Sequence, residues 1–99
     1  TVPCEAVFDA HPDVFRSALV GVPRAGRVEP VICVELEVHA RHRDRAALAA
    51  ELGARARAHR HTAGIERFLV HPGFPVDIRH NAKIRREALA RWAARELPR

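Results

Sequence analysis

A single lysine, Lys83, stands out among the charged residues, because the other 16 of the 17 basic residues are arginines. It follows His80 and Asn81 and precedes Arg85 and Arg86. A lysine side chain is a compact cation on a flexible stem, so it can stabilise negative charge that develops at an anionic site. A solvated surface position is the more common role for a lysine, and only the surrounding motif favours a catalytic one.

The seven histidines raise the question of a metal site. His39 and His42, and likewise His59 and His61, have spacings that could chelate, but no cysteine or carboxylate cluster completes either set. We therefore expect these side chains to lie in solvated loops. Ser17 and a histidine could be drawn as a hydrolase pair, yet the sequence has no nucleophile elbow. The sequence predicts neither a metal site nor a hydrolase.

Length and composition fit one small domain. With 99 residues, 47% of them hydrophobic, the chain can form one modest core. No apolar run approaches the ~20 residues that a membrane-spanning helix needs, and no signal peptide is recognisable. Cys4 and Cys33 form no C-x-x-C pair, so we expect buried free thiols in a reducing cytoplasm. The chain begins at Thr1 and has no methionine, which indicates a piece of a longer protein.

The net charge of +5 leaves nucleic acid open as a partner. The basic residues are spread along the chain among 12 acidic ones, with no long block of one sign. The sequence also has no tyrosine and no aromatic pattern for stacking on bases. We expect no nucleic acid partner, and a small basic nucleic-acid-binding or interaction module remains the alternative class.

The apolar pattern predicts an α+β domain, a small, mainly antiparallel three-stranded sheet with about three helices packed on it. The helices are predicted over residues 3–11, 44–58 and from 82 onwards, and the strands over 17–22, 31–38 and 65–70. The link between the first two strands is too short for a helical crossover, so these strands should pair antiparallel.

Two of these elements carry more detailed expectations. In the second strand, Val34, Leu36 and Val38 share one face, and the opposite face, with Glu35, should meet water. The last helix should begin near Ala82, with Asn81 as its N-cap and Lys83 in its first turn. A helix start beside an ammonium group favours an anion. Trp92 lies on the apolar face of this helix and is expected in the core.

Two stretches resemble the acyl-adenylate-forming enzymes, the acyl-CoA synthetase (AMP-binding) superfamily. Residues 10–23, AHPDVFRSALVGVP, resemble the segment that leads into the first strand of that superfamily's C-terminal domain. Residues 74–86, with Leu89, are similar to its closing motif, a proline and a loop followed by Gly-Lys-Ile-x-Arg and a leucine. The stretches occur in the family's order, so the resemblance covers the whole chain.

The resemblance implies that residues 1–99 are a mobile C-terminal lid domain, and that the hinge and the N-terminal ATP- and acyl-binding domain lie outside this chain. Lys83 matches the catalytic lysine, which in the family contacts the substrate carboxylate and the α-phosphate region. ATP and Mg²⁺ would be bound mainly by the N-terminal domain, the chief partner. The isolated chain is therefore expected to be inactive.

Residues near Lys83 are candidates for supporting roles. His80 could contact phosphate or orient the loop, Asn81 could cap the helix, and Arg86 matches a basic motif position that suits an interdomain salt bridge. The sequence departs from the family at Ala82, where glycine is usual, and in a longer loop from Pro75 to Lys83. These departures put ordinary CoA ligation in doubt and leave the use of CoA open.

The strings FPVDIRHNAKI and PVICVELE are most similar to the β-lactone synthetases of bacterial long-chain olefin biosynthesis. Those enzymes activate a 2-alkyl-3-hydroxy fatty acid with ATP, and the 3-hydroxyl then closes on the carbonyl without CoA. A fatty acyl-CoA ligase is the alternative within the same superfamily.

Overall fold

The computed structural model describes residues 3–74, 76–77 and 83–97. Its elements, in chain order, are α1 (Cys4–Asp9), β1 (Val14–Arg24), β2 (Arg27–Leu36), α2 (Arg45–Arg57), β3 (Arg67–Val70), β4 (Val76–Asp77), β5 (Lys83–Ile84) and α3 (Arg86–Glu96). Short 3₁₀ turns lie at Val38–Ala40 and Arg60–Thr62. The predicted α+β class is confirmed.

The main sheet has the strand order β1-β2-β3, so β2 is its central strand. β1 and β2 pair antiparallel, as predicted, through a tight turn in which Ala25 and Gly26 have φ of 50° and 78°. Two positive φ angles are typical of the type I′ hairpin turn, whose twist matches that of the strands. β3 runs parallel to β2, because α2 provides the crossover connection that a parallel pair needs.

Both faces of this sheet are covered, which corrects the expectation of one wet face. One face of β2, with Ile32, Val34 and Leu36, packs under α1 and α2 in a first core cluster. The opposite face carries Cys33, which is fully buried in a second cluster with residues of α3. The alternation suggested a wet face because Glu35 lies on it, but α3 closes over that face.

Val38 also departs from the prediction, because the strand ends at Leu36 and Val38 begins a 3₁₀ turn. Its side chain is 75% exposed. α2 follows the prediction closely: the Asp44 carboxylate accepts the backbone N–H of Ala47 at 3.0 Å and caps the helix. Leu48 and Leu52 on its inner face are buried.

The last helix begins at Arg86, not near Ala82 as expected. Before it, β5 pairs antiparallel with β4, so Lys83 lies in a strand and not in a first helical turn. The N-cap of α3 is Arg85, whose side chain makes no capping hydrogen bond. The expected cap, Asn81, lies outside the described residues. Strand pairing therefore displaces the helix start beyond Lys83. Across the described ranges, no helix has the length and apolarity to cross a membrane.

Candidate functional site

Lys83 occupies a defined place in the backbone. It is the first residue of β5, and its Cα pairs with that of Asp77 across the small hairpin. The neighbouring pair joins Val76 to Ile84, which packs partly buried against the second core cluster. α3 begins two residues after Ile84. His80 and Asn81 fall outside the described residues, as does the side chain of Lys83.

The end of the lysine segment is fixed by Arg86. Its guanidinium makes a bidentate ion pair with Glu5 of α1, at 2.6 Å and 3.1 Å, and also donates to the carbonyl oxygen of Leu19 at 3.2 Å. The Glu5 carboxylate accepts the N–H of Leu19 at 2.8 Å as well. Three elements, α1, β1 and α3, therefore meet at one charged pair.

This environment keeps Glu5 ionised. Burial works against ionisation, but hydrogen bonds from Arg86 and from the Leu19 amide, with the charge of Arg86, outweigh it and lower the pKa of Glu5. The same bond raises the pKa of Arg86. The expected interdomain salt bridge of Arg86 remains a prediction, and the partner that the structure gives this residue is inside the domain.

The start of the lysine segment is fixed by Glu35 of β2. One of its oxygens accepts both the backbone N–H of Phe74, at 3.1 Å, and the Nε–H of Arg16, at 2.7 Å. The Arg16 guanidinium lies 5.4 Å from the centre of the Phe74 ring and 5.3 Å from that of Phe15, within cation–π range. Phe74 itself is buried in the second core cluster.

His71 adds a second contact at the same place. Its backbone N–H donates to the Val34 carbonyl at 2.8 Å, and its Nδ1 accepts the N–H of Gly73 at 2.9 Å. Its ring packs edge-on against Trp92 of α3 and against Phe74. Burial lowers the pKa of His71, and nearby carboxylate charges oppose this only in part, which agrees with Nδ1 acting as an acceptor.

A cleft of about 530 Å³ lies at the beginning of α3, next to Lys83 in the chain. Among the described residues, its lining includes Arg85, Arg86 and Arg91, with Glu87 as an acidic neighbour. Arg85 and Arg91 are exposed. A surface lined by three arginines and one glutamate carries a positive potential, which suits an anion.

The serine and the histidines that the sequence analysis excluded from a hydrolase or metal site make structural contacts. Ser17 is buried and donates to an Asp9 oxygen at 2.7 Å. The rings of His59 and His61 lie edge to face, 6.0 Å apart, and His39 lies 3.2 Å from an Asp13 oxygen. Within residues 3–74, 76–77 and 83–97, no group of three or more His, Cys, Asp or Glu side chains could hold a metal ion.

Sequence reasoning did not find Glu5 and Glu35 as contributors to this site. Both appear in the sequence as ordinary glutamates, one in a first helical turn and one on a supposedly wet strand face. Their partners lie 81 and 39 residues away in the chain, beyond the reach of any periodic pattern. Arg16 lies opposite Glu35 in the β1–β2 register, so the antiparallel pairing of these two strands was the signal that could have indicated this contact.

The fold is shared with large ligases and synthetases. The acyl-CoA synthetase of Brucella canis superposes with a TM-score of 0.75 and 23% identity, over 94% of this chain and 17% of its own. A benzoate CoA ligase from Burkholderia xenovorans superposes with a TM-score of 0.73 and 27% identity, over 88% of this chain and 17% of its own. The fold is that of the C-terminal domain of the acyl-CoA synthetase (AMP-binding) family.

Within that family, the sequence matches one kind of enzyme in detail. It is 55% identical over 92 residues, 93% of the chain, to the C-terminal region of the olefin β-lactone synthetase of Xanthomonas campestris. The chain spans 16% of the length of that relative. No protein-family profile matches the sequence. The resemblance inferred from the two motifs is confirmed.

Proposed function

We propose that this chain is the mobile C-terminal lid domain of an ATP-dependent acyl-activating enzyme, and that it supplies the catalytic lysine, Lys83. The observation that carries the proposal is the 55% identity to an olefin β-lactone synthetase over nearly the whole chain. Lys83 begins β5 and directly precedes Ile84 and Arg85, which line the arginine-rich cleft, and this position supports the assignment. The hinge and the N-terminal adenylation domain belong to the rest of the parent protein.

In the proposed reaction a carboxylate oxygen of the substrate attacks the α-phosphorus of ATP. A new carboxyl–phosphate bond forms, the bond to pyrophosphate breaks, and both reactants are anions. A cation at their junction reduces the repulsion and stabilises the charge that develops in the transition state. Lysine suits a site assembled by domain closure, because its charge is compact and its stem is long.

The resemblance to β-lactone synthetases implies the second step. The 3-hydroxyl oxygen of a 2-alkyl-3-hydroxy fatty acid attacks the acyl carbonyl and gives up its proton to solvent, AMP leaves, and a β-lactone results. CoA takes no part in these two reaction steps.

Two free thiols, Cys4 and Cys33, agree with a cytoplasmic enzyme. Burial raises the pKa of Cys33 to about 12, so that thiol is unreactive.

The described residues fit ATP better than they fit its metal ion. Arg85 and Arg91 give the cleft beside Lys83 a positive potential that suits phosphate oxygens. Mg²⁺ prefers carboxylate and other oxygen ligands, and the described residues offer no group that could hold a metal ion. Mg²⁺ would therefore be held by the N-terminal domain.

CoA ligation is the second candidate, because a benzoate CoA ligase shares the fold at 27% identity. The two candidates differ in their products. With ATP and a 2-alkyl-3-hydroxy fatty acid, a β-lactone synthetase forms the lactone whether or not CoA is present. A CoA ligase forms an acyl-CoA and needs CoA to turn over. Mass spectrometry of the products with and without CoA decides between them.

The central test compares pyrophosphate release by the full-length protein with that of its Lys83→Ala variant. We expect the rate to fall on the order of 10²–10³-fold, as for loss of one electrostatic stabiliser of a transition state. Arg95→Ala is the matched control, because it removes an exposed cation from the last turn of α3, the helix that follows β5. Equal rates for the Lys83 variant and the wild type would assign the catalytic role elsewhere.

A further inference from the structure

The segment that carries Lys83 is attached to the rest of the domain at each end by a partly buried carboxylate. At its start, Glu35 accepts the N–H of Phe74, and at its end, Glu5 binds Arg86. Neither carboxylate belongs to the β4–β5 pair that contains Lys83, since Glu35 lies on β2 and Glu5 on α1. The backbone of Lys83 therefore lies between two fixed points.

The attachment at the start of the segment, between Glu35 and Phe74, fixes the orientation of the main chain. A hydrogen bond to the Phe74 N–H fixes the peptide group as well as the side chain, and the Glu35 side chain is only 12% exposed. Arg16 compensates the charge of Glu35 and also covers the Phe74 ring. A charge-assisted bond with little exposure to water is stronger than an ordinary surface contact.

The attachment at the end is bidentate. Two parallel N–H···O bonds to one carboxylate fix the orientation of the Arg86 guanidinium as well as its distance. Arg86 is the first residue of α3, so this pair sets where the helix begins and hence where β5 leads into it. Lys83 lies three residues before this point.

We infer that Glu5 and Glu35 are positioning residues, which hold the two ends of the lysine segment so that Lys83 reaches the reacting groups. The inference rests on the proposed role of Lys83. A displacement of a reacting group by about 1 Å can cost on the order of 10²-fold in rate, so loose ends of the segment lower the rate without removing any catalytic group.

The experiment uses the full-length protein with ATP and a 2-alkyl-3-hydroxy fatty acid, and it measures kcat and KM for pyrophosphate release. We expect Glu35→Ala and Glu5→Ala each to lower kcat on the order of 10-fold with little change in KM, because substrate binding by the N-terminal domain is untouched. Glu35→Gln should recover most of the loss, because its amide oxygen still accepts the Phe74 N–H.

Glu29→Ala is the matched control. Glu29 is also a glutamate of β2, and one of its carboxylate oxygens accepts a hydrogen bond from the Nε–H of Arg67 at 3.1 Å. It lies near the turn between β1 and β2, at the other end of the strand from Glu35. Its removal breaks a more exposed glutamate–arginine pair of the same strand and should leave kcat unchanged. A loss of kcat in this variant equal to that in Glu35→Ala would reduce the effect to general destabilisation and overturn the inference.

The deciding readout is the double variant with Lys83→Ala. If the two glutamates act through Lys83, then Glu35→Ala and Glu5→Ala have no further effect once the lysine is gone. A full additional loss in that background overturns the inference and leaves the role of Lys83 intact. If Lys83→Ala alone keeps the wild-type rate, the proposed function and the inference both fail.

Discussion

At the scale of single residues, the described part of the chain has a connected group of charges on the side of α1 and α2. Arg43 binds Asp13 at 2.7 Å and Glu51 at 2.9 Å. The buried His11 lies 2.7 Å from Glu51 through Nε2, and its Nδ1 accepts the backbone N–H of Asp13 at 3.0 Å. Because Nδ1 is an acceptor, a neutral His11 ring carries its proton on Nε2 and donates it to Glu51.

Because of these contacts, the free energy of unfolding of the domain should depend on pH in the acidic range. Hydrogen bonds from Arg43 and then from His11 lower the pKa of Glu51 from 4.5 to about 2. Since the folded pKa is depressed, the stabilising contribution is fully present above pH 4.5 and is lost as the pH falls towards about 2. We expect Glu51→Gln to be less stable than the wild type at neutral pH, with the difference vanishing near pH 2.

Urea unfolding of both proteins across this pH range measures the effect. Glu66→Gln is the control, because Glu66 is exposed and forms no ion pair with the residues that the structure describes. A difference between Glu51→Gln and the wild type that stays constant down to pH 2 would show that the ion pair does not govern the acid transition.

At the scale of elements, α2 joins the charged network to the first core cluster. It carries Arg43's partner Glu51 on its outer side, and it buries Leu48 and Leu52 against β2 and β3. Apart from Gly53, the helix consists of alanine, leucine, arginine and glutamate, which favour helix formation, and Asp44 caps its start. Its packing, more than its intrinsic preference, holds it in place.

The packing of α2 gives a stability prediction. Leu52 is only 1% exposed, so Leu52→Ala leaves a cavity and should lower the free energy of unfolding by about 2–5 kcal/mol. Val38→Ala, at a side chain 75% exposed, should change it by less than about 0.5 kcal/mol. Urea unfolding of the two variants checks the contrast, and equal losses would mean that α2 does not form part of the core.

The elements also show where the sequence is informative. The cap at Asp44 and the leucine spacing predicted α2 within a residue of its observed ends, because both signals are local. The alternation of β2 predicted its inner face but not the burial of Cys33, since no pattern in that strand reveals a helix far along the chain. The predicted start of α3 was wrong. Asparagine is a residue type that favours the N-cap position, but the pairing of β5 with β4 keeps Lys83 and Ile84 in a strand, so the helix begins after them.

At the scale of the whole molecule, the described part of the chain offers an open basic surface near Lys83 rather than an enclosed active site. The cleft beside Lys83 is lined mostly by exposed side chains, and the net charge is +5. A positive surface of this kind complements a site where ATP and a carboxylate are already bound. The proposed chemistry therefore needs the remaining protein, of which this chain spans about a sixth in the relative from Xanthomonas campestris.

Separating the two parts tests this dependence. We expect the 99-residue chain alone to release no pyrophosphate from ATP and substrate. Added at about 10 µM to a parent protein that lacks this domain, it should restore on the order of 1% of the wild-type rate, because a tethered domain has an effective concentration of about 1 mM.

A Lys83→Ala chain added in the same way should restore nothing, which separates delivery of the lysine from simple stabilisation of the larger part. Turnover by the isolated chain would place a complete active site within it and overturn the proposed division of labour. Restoration of activity by the lysine-free chain would instead assign this domain a structural role, with the catalytic cation supplied elsewhere.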